Sequence, residues 1–211
     1  MIAHPSLPDG IFDGHLDLAF LAEIGRDMHA QLADCRGRLS PAAITLPELG
    51  ASPVTACLGT IFTEAVPDPS AADAETGAFA YPAGDALAAR AAGLRQHKLY
   101  RAWHEAGVIR LIELGKPLEV DSAGPLAVGL LMESADPIES PEHIDEFPGL
   151  LAVGLTWATG SRYAAGNAEQ TKGNRGLTDL GRAVVNELDA RNIVHDVSHL
   201  SDKALDDLLN C

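Results

Sequence analysis

The sequence predicts an α/β protein built on a parallel β-sheet, and three observations support this prediction. Five short apolar runs alternate with segments of helical periodicity, and alternation of this kind places helices in right-handed crossovers between parallel strands. The chain has 211 residues, which is long enough to bury a sizeable core. Hydrophobic residues make up 46% and charged residues 21%, as is ordinary for globular proteins. Because no internal repeat or boundary is visible, we predict a single domain over 1–211.

The predicted strands are apolar runs of the kind that parallel sheets bury on both faces. The first, third and fifth of them end in polar or charged residues. In chain order the five runs cover 11–18, 54–62, 126–136, 150–158 and 193–199.

Three helices are predicted between and after these strands. Apolar residues recur at roughly helical spacing over 84–107, and the histidines of this helix are expected at its surface. A second helix is predicted over 178–191, with Thr178 as its N-cap and Asn192 as its stop. A third is predicted over 201–209, with Ser201 as its cap.

Two segments between these elements read as surface loops. Residues 65–83 are rich in Pro, Ala, Asp and Gly, and residues 160–176 are polar and rich in glycine. Neither segment has the apolar periodicity of a packed element.

The charge balance disfavours a nucleic-acid partner. Acidic residues number 30 against 15 basic ones, for a net charge of −15, whereas phosphate binding requires a basic surface. The simplest interpretation is an acidic, solvated surface, to which a cleft for divalent cations would add only a little.

Cysteine usage and the N-terminus predict a cytoplasmic location. Cys35, Cys57 and Cys211 have no metal-like or redox-like spacing, and an odd count suggests free thiols in a reducing compartment. Residues 1–10 lack the basic and apolar segments of a secretory signal, and the longest apolar runs are too short to span a bilayer. No membrane association is therefore predicted.

The strongest local signal for chemistry is the stretch 13–17, Asp-Gly-His-Leu-Asp. On a strand His15 and Asp17 point to the same face with Cα atoms about 6.5 Å apart, so an imidazole and a carboxylate can converge on one cation. This pair of ligands suits Zn²⁺ and related ions. The alternative is that both residues cap the turn that follows the strand.

Two further strand ends carry groups of the same kind. Glu133 closes the third apolar run and His199 closes the fifth, and the carboxyl ends of parallel strands are where active sites form. Glu133 could bridge two ions with its two oxygens, or could be a solvent-exposed acid. His195 would lie roughly 13 Å from His199 on an extended strand and is interpreted as structural. Asp196 could orient a ligand or make internal hydrogen bonds.

Other catalytic classes lack their signatures. Ser198 is not in a Gly-x-Ser-x-Gly elbow, and there is neither a Walker A loop nor a dinucleotide fingerprint.

Together these residues resemble the renal (membrane) dipeptidase family of zinc peptidases. The resemblance covers most of the chain and is most specific in the last segment, which combines a Gly-Leu-Thr loop, a helix and a strand ending in Asp-x-Ser-His. The matching segments are 13–18, 130–136, 154–167 and 176–199. This last segment also argues against another amidohydrolase-type metal hydrolase, although such enzymes use a related motif on their first strand.

The resemblance implies a (β/α)₈ TIM-type barrel, of which this chain would hold roughly the first five β/α units. It implies two Zn²⁺ ions, with His15 and Asp17 as ligands of one, Glu133 as the bridge and His199 as a ligand of the other. A hydroxide held between the ions would attack the peptide bond of a dipeptide. The resemblance is also compatible with a homodimer.

Three departures from the family pattern matter. Trp157 stands where mammalian members have a substrate-binding histidine, so Trp157 and Tyr163 are predicted to form an apolar wall for the substrate. Ser134 replaces a usual glycine after Glu133. The chain ends at Cys211, before the family's remaining metal histidine, its substrate-binding arginine and its proton-transferring aspartate.

From that last departure we expect an open barrel that a longer product or a second chain completes, and no useful hydrolysis of dipeptides by the 211-residue chain alone. The alternative is a non-catalytic barrel fragment or pseudoenzyme that keeps some ligands as a binding module.

Overall fold

The structure is a computed structural model, which describes residues 10–63, 65–66, 68, 80–118, 124–168 and 175–211. In chain order the strands of this part are β1 (Ile11–Leu16), β2 (Val54–Ile61), β3 (Ala65–Val66), β4 (Tyr81–Pro82), β5 (Ile109–Leu111), β6 (Leu126–Met132), β7 (Leu150–Gly154) and β8 (Val194–Asp196). The helices are α1 (Leu18–Glu23), α2 (Leu46–Ala51), α3 (Ala86–Glu105), α4 (Asp179–Ala190) and α5 (Asp202–Leu209), and a 3-10 helix spans Pro141–Glu146.

The main sheet is parallel throughout and has β6 at its centre. Its order is β1-β2-β6-β7-β8, and β5 pairs with the first half of β6 on the side where β7 pairs with the second half. All seven residues of β6 are buried, as the unbroken apolar run predicts. β3 and β4 form a separate parallel pair.

The predicted fold class is confirmed. The parallel strands with their helices form a curled half-barrel. The apolar side chains of Phe12 on β1 and Val194 on β8 are exposed at the two outer strands, as expected for a barrel sheet that is not closed within the described residues. No helix of the described part is long and apolar enough to cross a membrane.

The predicted helices begin where their capping residues place them. Thr178 Oγ1 accepts a hydrogen bond from the backbone N–H of Gly181, and Ser201 Oγ accepts one from Ala204. These bonds satisfy donors that the first helical turn leaves unpaired. Asn192 follows α4 with a φ of 55°, which ends the helix as predicted.

Several sequence predictions are corrected by the structure. The strands end earlier than the apolar runs, because the chain turns at Asp17, Glu133 and after Asp196. The sequence did not predict α1, α2, β5 or the β3–β4 pair. Each of these elements has six residues or fewer, which is too short to show a periodic pattern in the sequence.

The two predicted surface loops and the histidines of α3 also need correction. Much of 65–83 and residues 169–174 lie outside the described residues. Tyr163 and its two following alanines are buried rather than part of a surface loop. His97 is buried against Phe147, whereas His104 is exposed as predicted.

Candidate metal centre

The four predicted ligands all lie at the carboxyl edge of the main sheet. His15 is near the end of β1, and Asp17 follows that strand directly. Glu133 follows β6, and His199 lies in the turn after β8. Because these strands are parallel, their carboxyl ends share one edge, which brings residues distant in sequence together.

Three of these side chains converge on one point. His15, Asp17 and Glu133 each offer one ligand atom, and these atoms all lie within 4.8 Å of one another. His15 Nε2 is 3.4 Å from Asp17 Oδ1 and 3.6 Å from Glu133 Oε2. The second distance is too long for a hydrogen bond, so His15 and Glu133 do not pair directly. Instead, all three side chains are directed toward a common point.

The Asp17 carboxylate is held by a neighbouring strand. Asp17 occupies the N-cap position of α1 but makes no side-chain capping hydrogen bond, so the alternative that it caps this helix is wrong. Instead its Oδ1 accepts a hydrogen bond of 2.5 Å from the Thr60 hydroxyl on β2. Thr60 is fully buried, and a carboxylate fixed in this way by its outer partner is pre-oriented toward the cluster.

Glu133 lies at the bottom of the cluster. Only 7% of its side chain is exposed, so the alternative of a solvent-exposed acid is wrong. Its Oε2 faces His15, while its Oε1 lies 3.3 Å from Nε2 of His199. Gly154 at the end of β7 permits this arrangement, since a Cβ there would come within 2.6 Å of the Glu133 carbonyl oxygen.

The electrostatic setting of Glu133 opposes its ionised form. Burial removes the carboxylate from water and raises its pKa above the ordinary value. The negative charge of Asp17 raises the pKa further, and the nearby His15 and His199 partly offset this. A divalent cation would reverse the balance, because its charge compensates both carboxylates at once.

His199 is placed by its turn and by a neighbouring loop. Asp196 Oδ1 accepts a hydrogen bond of 3.0 Å from the Ser198 backbone N–H, and the His199 carbonyl oxygen accepts one of 2.8 Å from Asn167. His199 itself has a φ of 65°, in the left-handed region that non-glycine residues seldom adopt. Such a conformation persists where the surrounding contacts fix it, which is typical of functional positions.

The arrangement fits divalent cations. Ligand atoms about 2.0–2.1 Å from a tetrahedral Zn²⁺ are about 3.4 Å apart, close to the distances between His15 Nε2 and the two carboxylates. Within the described residues, one position faces His15, Asp17 and one oxygen of Glu133. A second position faces the other oxygen of Glu133 and His199. Imidazole and carboxylate ligands together are typical of zinc and similar metals.

The two predicted substrate-wall residues lie in different environments. Trp157 is 41% exposed, and its ring centroid is 5.9 Å from both the Phe62 and the His199 rings, so it borders the cluster. Tyr163 has no exposed surface, and its hydroxyl donates to the Ile138 carbonyl and accepts from Arg162. Burial raises the Tyr163 pKa to about 12. In this conformation Tyr163 is a core residue with no surface for a substrate.

Thr60 and Phe62 were not predicted to lie at the site, and His195 was interpreted as structural with no partner named. A threonine and a phenylalanine at the end of an apolar strand are ordinary residues, so only the neighbouring chain segments reveal their positions beside the cluster. The structure places Nε2 of His195 2.7 Å from Oδ1 of Asp189 on α4.

Comparisons with known proteins bear on the family and on the fold. The model of the membrane dipeptidase family (peptidase family M19) matches residues 9–211. No curated protein sequence matches significantly.

Among solved structures, the metallopeptidase "dipeptidase AC" is 21% identical, with a TM-score of 0.69 over 95% of this chain and 60% of its own. A metallopeptidase from Rhodobacter sphaeroides, liganded with a phosphinate mimic of L-Ala-D-Ala, is 20% identical, with a TM-score of 0.66 over 95% of this chain and 62% of its own. The probable dipeptidase PvdM from Pseudomonas aeruginosa is 17% identical, with a TM-score of 0.66 over 96% of this chain and 50% of its own. The chain therefore spans about 60% of the length of the first of these structures.

Proposed function

The chain belongs to the membrane dipeptidase family, peptidase family M19, and we propose that it carries the metal centre of a metal-dependent dipeptidase. One observation carries the proposal beyond family membership. The two oxygens of the buried Glu133 carboxylate face two different histidines, one on β1 and one after β8. A carboxylate placed in this way is suited to bridging two cations.

The residues of this chain would hold the ions and shape the site. His15 and Asp17 would bind the first ion and His199 the second, with Glu133 shared between them. When bound, the ions supply a Lewis acid for the peptide carbonyl and lower the pKa of a water molecule. Thr60 fixes the direction of Asp17, and the Asp196–Ser198 hydrogen bond fixes the turn that presents His199.

The finer features of the predicted enzyme belong to the same proposal. We propose Zn²⁺ as the metal, since imidazole and carboxylate ligands suit it, and two ions as the complement. Dipeptides are the proposed substrates, and the exposed ring of Trp157 is the proposed substrate wall. The cytoplasmic location and the homodimer remain predictions from the sequence.

Metal analysis tests this proposal directly. The zinc content of the purified wild-type chain is measured by elemental analysis beside that of Asp17→Ala and Glu133→Ala. Loss of the bridging carboxylate is expected to abolish stoichiometric zinc binding. Loss of Asp17 is expected to remove one ion and weaken the other, because Glu133 is shared.

Two controls make the result specific to the cluster. Asp206→Ala and Glu113→Ala remove carboxylates that are exposed and lie outside the site, and both should leave the zinc content unchanged. Unchanged zinc in the Glu133→Ala protein would refute the metal centre. Retained zinc without hydrolysis of any dipeptide, in a protein that includes this chain in full, would favour a non-catalytic binding module instead.

A further inference from the structure

A cavity adjoins the metal centre at the carboxyl ends of β2, β6 and β7. Its volume is about 190 Å³, which exceeds the space needed for one or two water molecules. Its wall includes Ser134, the residue after Glu133, and the ring of Trp157, which also contacts His199. The cavity therefore opens beside the place where a substrate bound at the cluster would lie.

The cavity wall carries a buried carboxylate. Asp136 is 9% exposed, and its Oδ2 accepts a hydrogen bond of 3.2 Å from the Ser134 hydroxyl. Among the described residues, no Lys, Arg or His side chain lies within ion-pair distance of this carboxylate. A buried carboxylate without a cationic partner is energetically costly, so this position favours a positively charged ligand.

Aromatic rings on the same wall favour the same kind of ligand. Phe62 and Trp157 both line the cavity, with their ring centroids 5.9 Å apart. The faces of aromatic rings attract ammonium and guanidinium groups, and their surfaces also pack against the methylene chain of a lysine. The Thr63 side chain at the cavity adds a hydroxyl that can accept a hydrogen bond, although in this structure it is paired with Tyr81.

Arg162 is the nearby positive charge that could compete for Asp136. Burial raises the Asp136 pKa, and this effect outweighs the opposing effects of the Arg162 charge and of a hydrogen bond from the Arg162 backbone. The Arg162 guanidinium is committed elsewhere, because one of its nitrogens bonds to the carbonyl oxygens of Ile138 and Glu139 and to the Tyr163 hydroxyl. Arg162 therefore weakens the attraction of Asp136 for a cation without neutralising this carboxylate directly.

We propose that this cavity is a specificity pocket that binds the basic side chain of a dipeptide substrate, with its cationic end at Asp136 and its stem against the rings of Phe62 and Trp157. This inference rests on the proposed dipeptidase function and deepens it by naming a substrate class, dipeptides that contain lysine. Ser134 orients the Asp136 carboxylate through its hydroxyl, which glycine at this position could not do.

Two matched pairs of dipeptide substrates test the pocket. The zinc-loaded protein is given Lys-Ala and Ala-Lys, together with the corresponding norleucine dipeptides, which keep the side-chain stem and lack the ammonium. Selectivity is measured as the ratio of kcat/KM values where turnover occurs and as the ratio of dissociation constants otherwise. We expect lysine to be preferred over norleucine by about tenfold or more at one of the two substrate positions.

Variants separate the pocket from the metal centre. Asp136→Asn should bring the lysine preference to within about threefold of unity, while zinc content stays at the wild-type level. Trp157→Leu, at an exposed position where folding is tolerant, should reduce the same preference by removing one aromatic wall. Asp206→Asn, a matched change at an exposed aspartate outside the cavity, should leave the preference unchanged.

The failures of the two proposals are distinguishable. Equal use of lysine and norleucine dipeptides at both positions would overturn the pocket and leave the dipeptidase function intact. A lysine preference that survives in Asp136→Asn would likewise overturn it. If a zinc-loaded protein that includes this chain in full uses Ala-Ala but none of the four dipeptides, the pocket alone fails. If it neither binds nor hydrolyses Ala-Ala or any of the four, the dipeptidase function fails and the pocket fails with it.

Discussion

Buried polar side chains occur in two regions of this protein, and the two regions treat them differently. On α3, Gln96 accepts from the Phe62 backbone N–H and donates to the Phe62 carbonyl oxygen, and Tyr100 donates to the Thr60 carbonyl oxygen at 2.9 Å. His97 completes this set through its Nε2, 2.9 Å from the Pro148 carbonyl oxygen. Each of these side chains forms a hydrogen bond with an uncharged backbone group.

At the carboxyl ends of the strands the buried groups are carboxylates with incomplete compensation. Glu133 shares its surroundings with the like charge of Asp17, and Asp136 accepts a hydrogen bond from Ser134 but forms no ion pair with a side chain of the described residues. The α3 groups bind the helix to the sheet, whereas the strand-end carboxylates are the groups for which we propose cationic ligands. Groups with incomplete compensation cost stability, and such groups are typical of sites that bind a ligand.

Thr60 connects the two regions. Its carbonyl oxygen accepts from Tyr100 on α3, and its hydroxyl donates to Asp17 in the cluster. Substitutions on either side of Thr60 should therefore separate effects on stability from effects on metal binding.

The largest expected effect is on the α3 side. Tyr100→Ala should lower the free energy of unfolding by about 3–5 kcal/mol, because it leaves a cavity in the core and removes the hydrogen bond to the Thr60 carbonyl oxygen. Tyr100→Phe keeps the ring and should cost about 1 kcal/mol. Denaturant unfolding of both variants measures this. If Tyr100→Ala cost no more than Tyr100→Phe, the ring would not be packed as the structure shows.

The next effect is on metal affinity. Thr60→Val preserves the shape of the side chain and removes the hydrogen bond to Asp17, so zinc affinity should fall about 10- to 100-fold. Competition with a chelator of known affinity measures the change. Thr55→Val, at the start of the same strand and away from the cluster, is the control. An unchanged affinity in Thr60→Val would mean that the hydrogen bond does not orient Asp17 for the metal.

A smaller effect of opposite sign is expected for the metal-free protein. Because burial raises the folded-state pKa of Glu133, its ionisation costs stability as pH rises from the ordinary pKa of a glutamate through the raised value. Above that window Glu133→Gln should stabilise the metal-free chain, by on the order of 1 kcal/mol. The gain should vanish at acidic pH, where the wild-type carboxyl is protonated in both states.

Thermal unfolding in the presence of a chelator, at neutral and acidic pH, measures this gain. With zinc added, the sign should reverse, since the wild type gains the binding energy of the ion and the variant does not. A Glu133→Gln protein that is less stable than the wild type at neutral pH without metal would contradict this account of the site.

The smallest effect concerns His97 and appears only below neutral pH. Burial lowers its folded-state pKa, so its contribution to stability is complete above the ordinary histidine pKa. This contribution is lost as pH falls through the ordinary value to the lowered one. The wild type should therefore lose more stability between pH 7 and pH 5 than His97→Gln does. His104→Gln, at the exposed histidine of the same helix, should follow the wild type.

Much of the fold and most of the cluster could be predicted from local sequence. The spacing of apolar residues and the capping residues predicted α3, α4 and α5. Helix formation depends on residues three and four positions apart and on the caps at the helix ends, all of which are local in sequence. The apolar runs located the long strands for a similar reason. The stretch 13–17 and the strand ends at Glu133 and His199 identified the candidate ligands, since a polar group that closes a buried strand stands out against its neighbours.

Only the tertiary structure decided which residues support the ligands and which groups they face. The positions of Thr60, Phe62 and Asp136 at the site depend on the pairing of strands from distant parts of the chain. Contacts between segments tens of residues apart leave no local pattern in the sequence. Tyr163 shows the converse, because a tyrosine in a polar, glycine-rich stretch reads as accessible until packing buries its ring. The sequence by itself determined the α/β elements and the ligand types. Tertiary packing determined that Glu133 faces two histidines, because the carboxylate is buried and lies near both rings only once the strands are side by side.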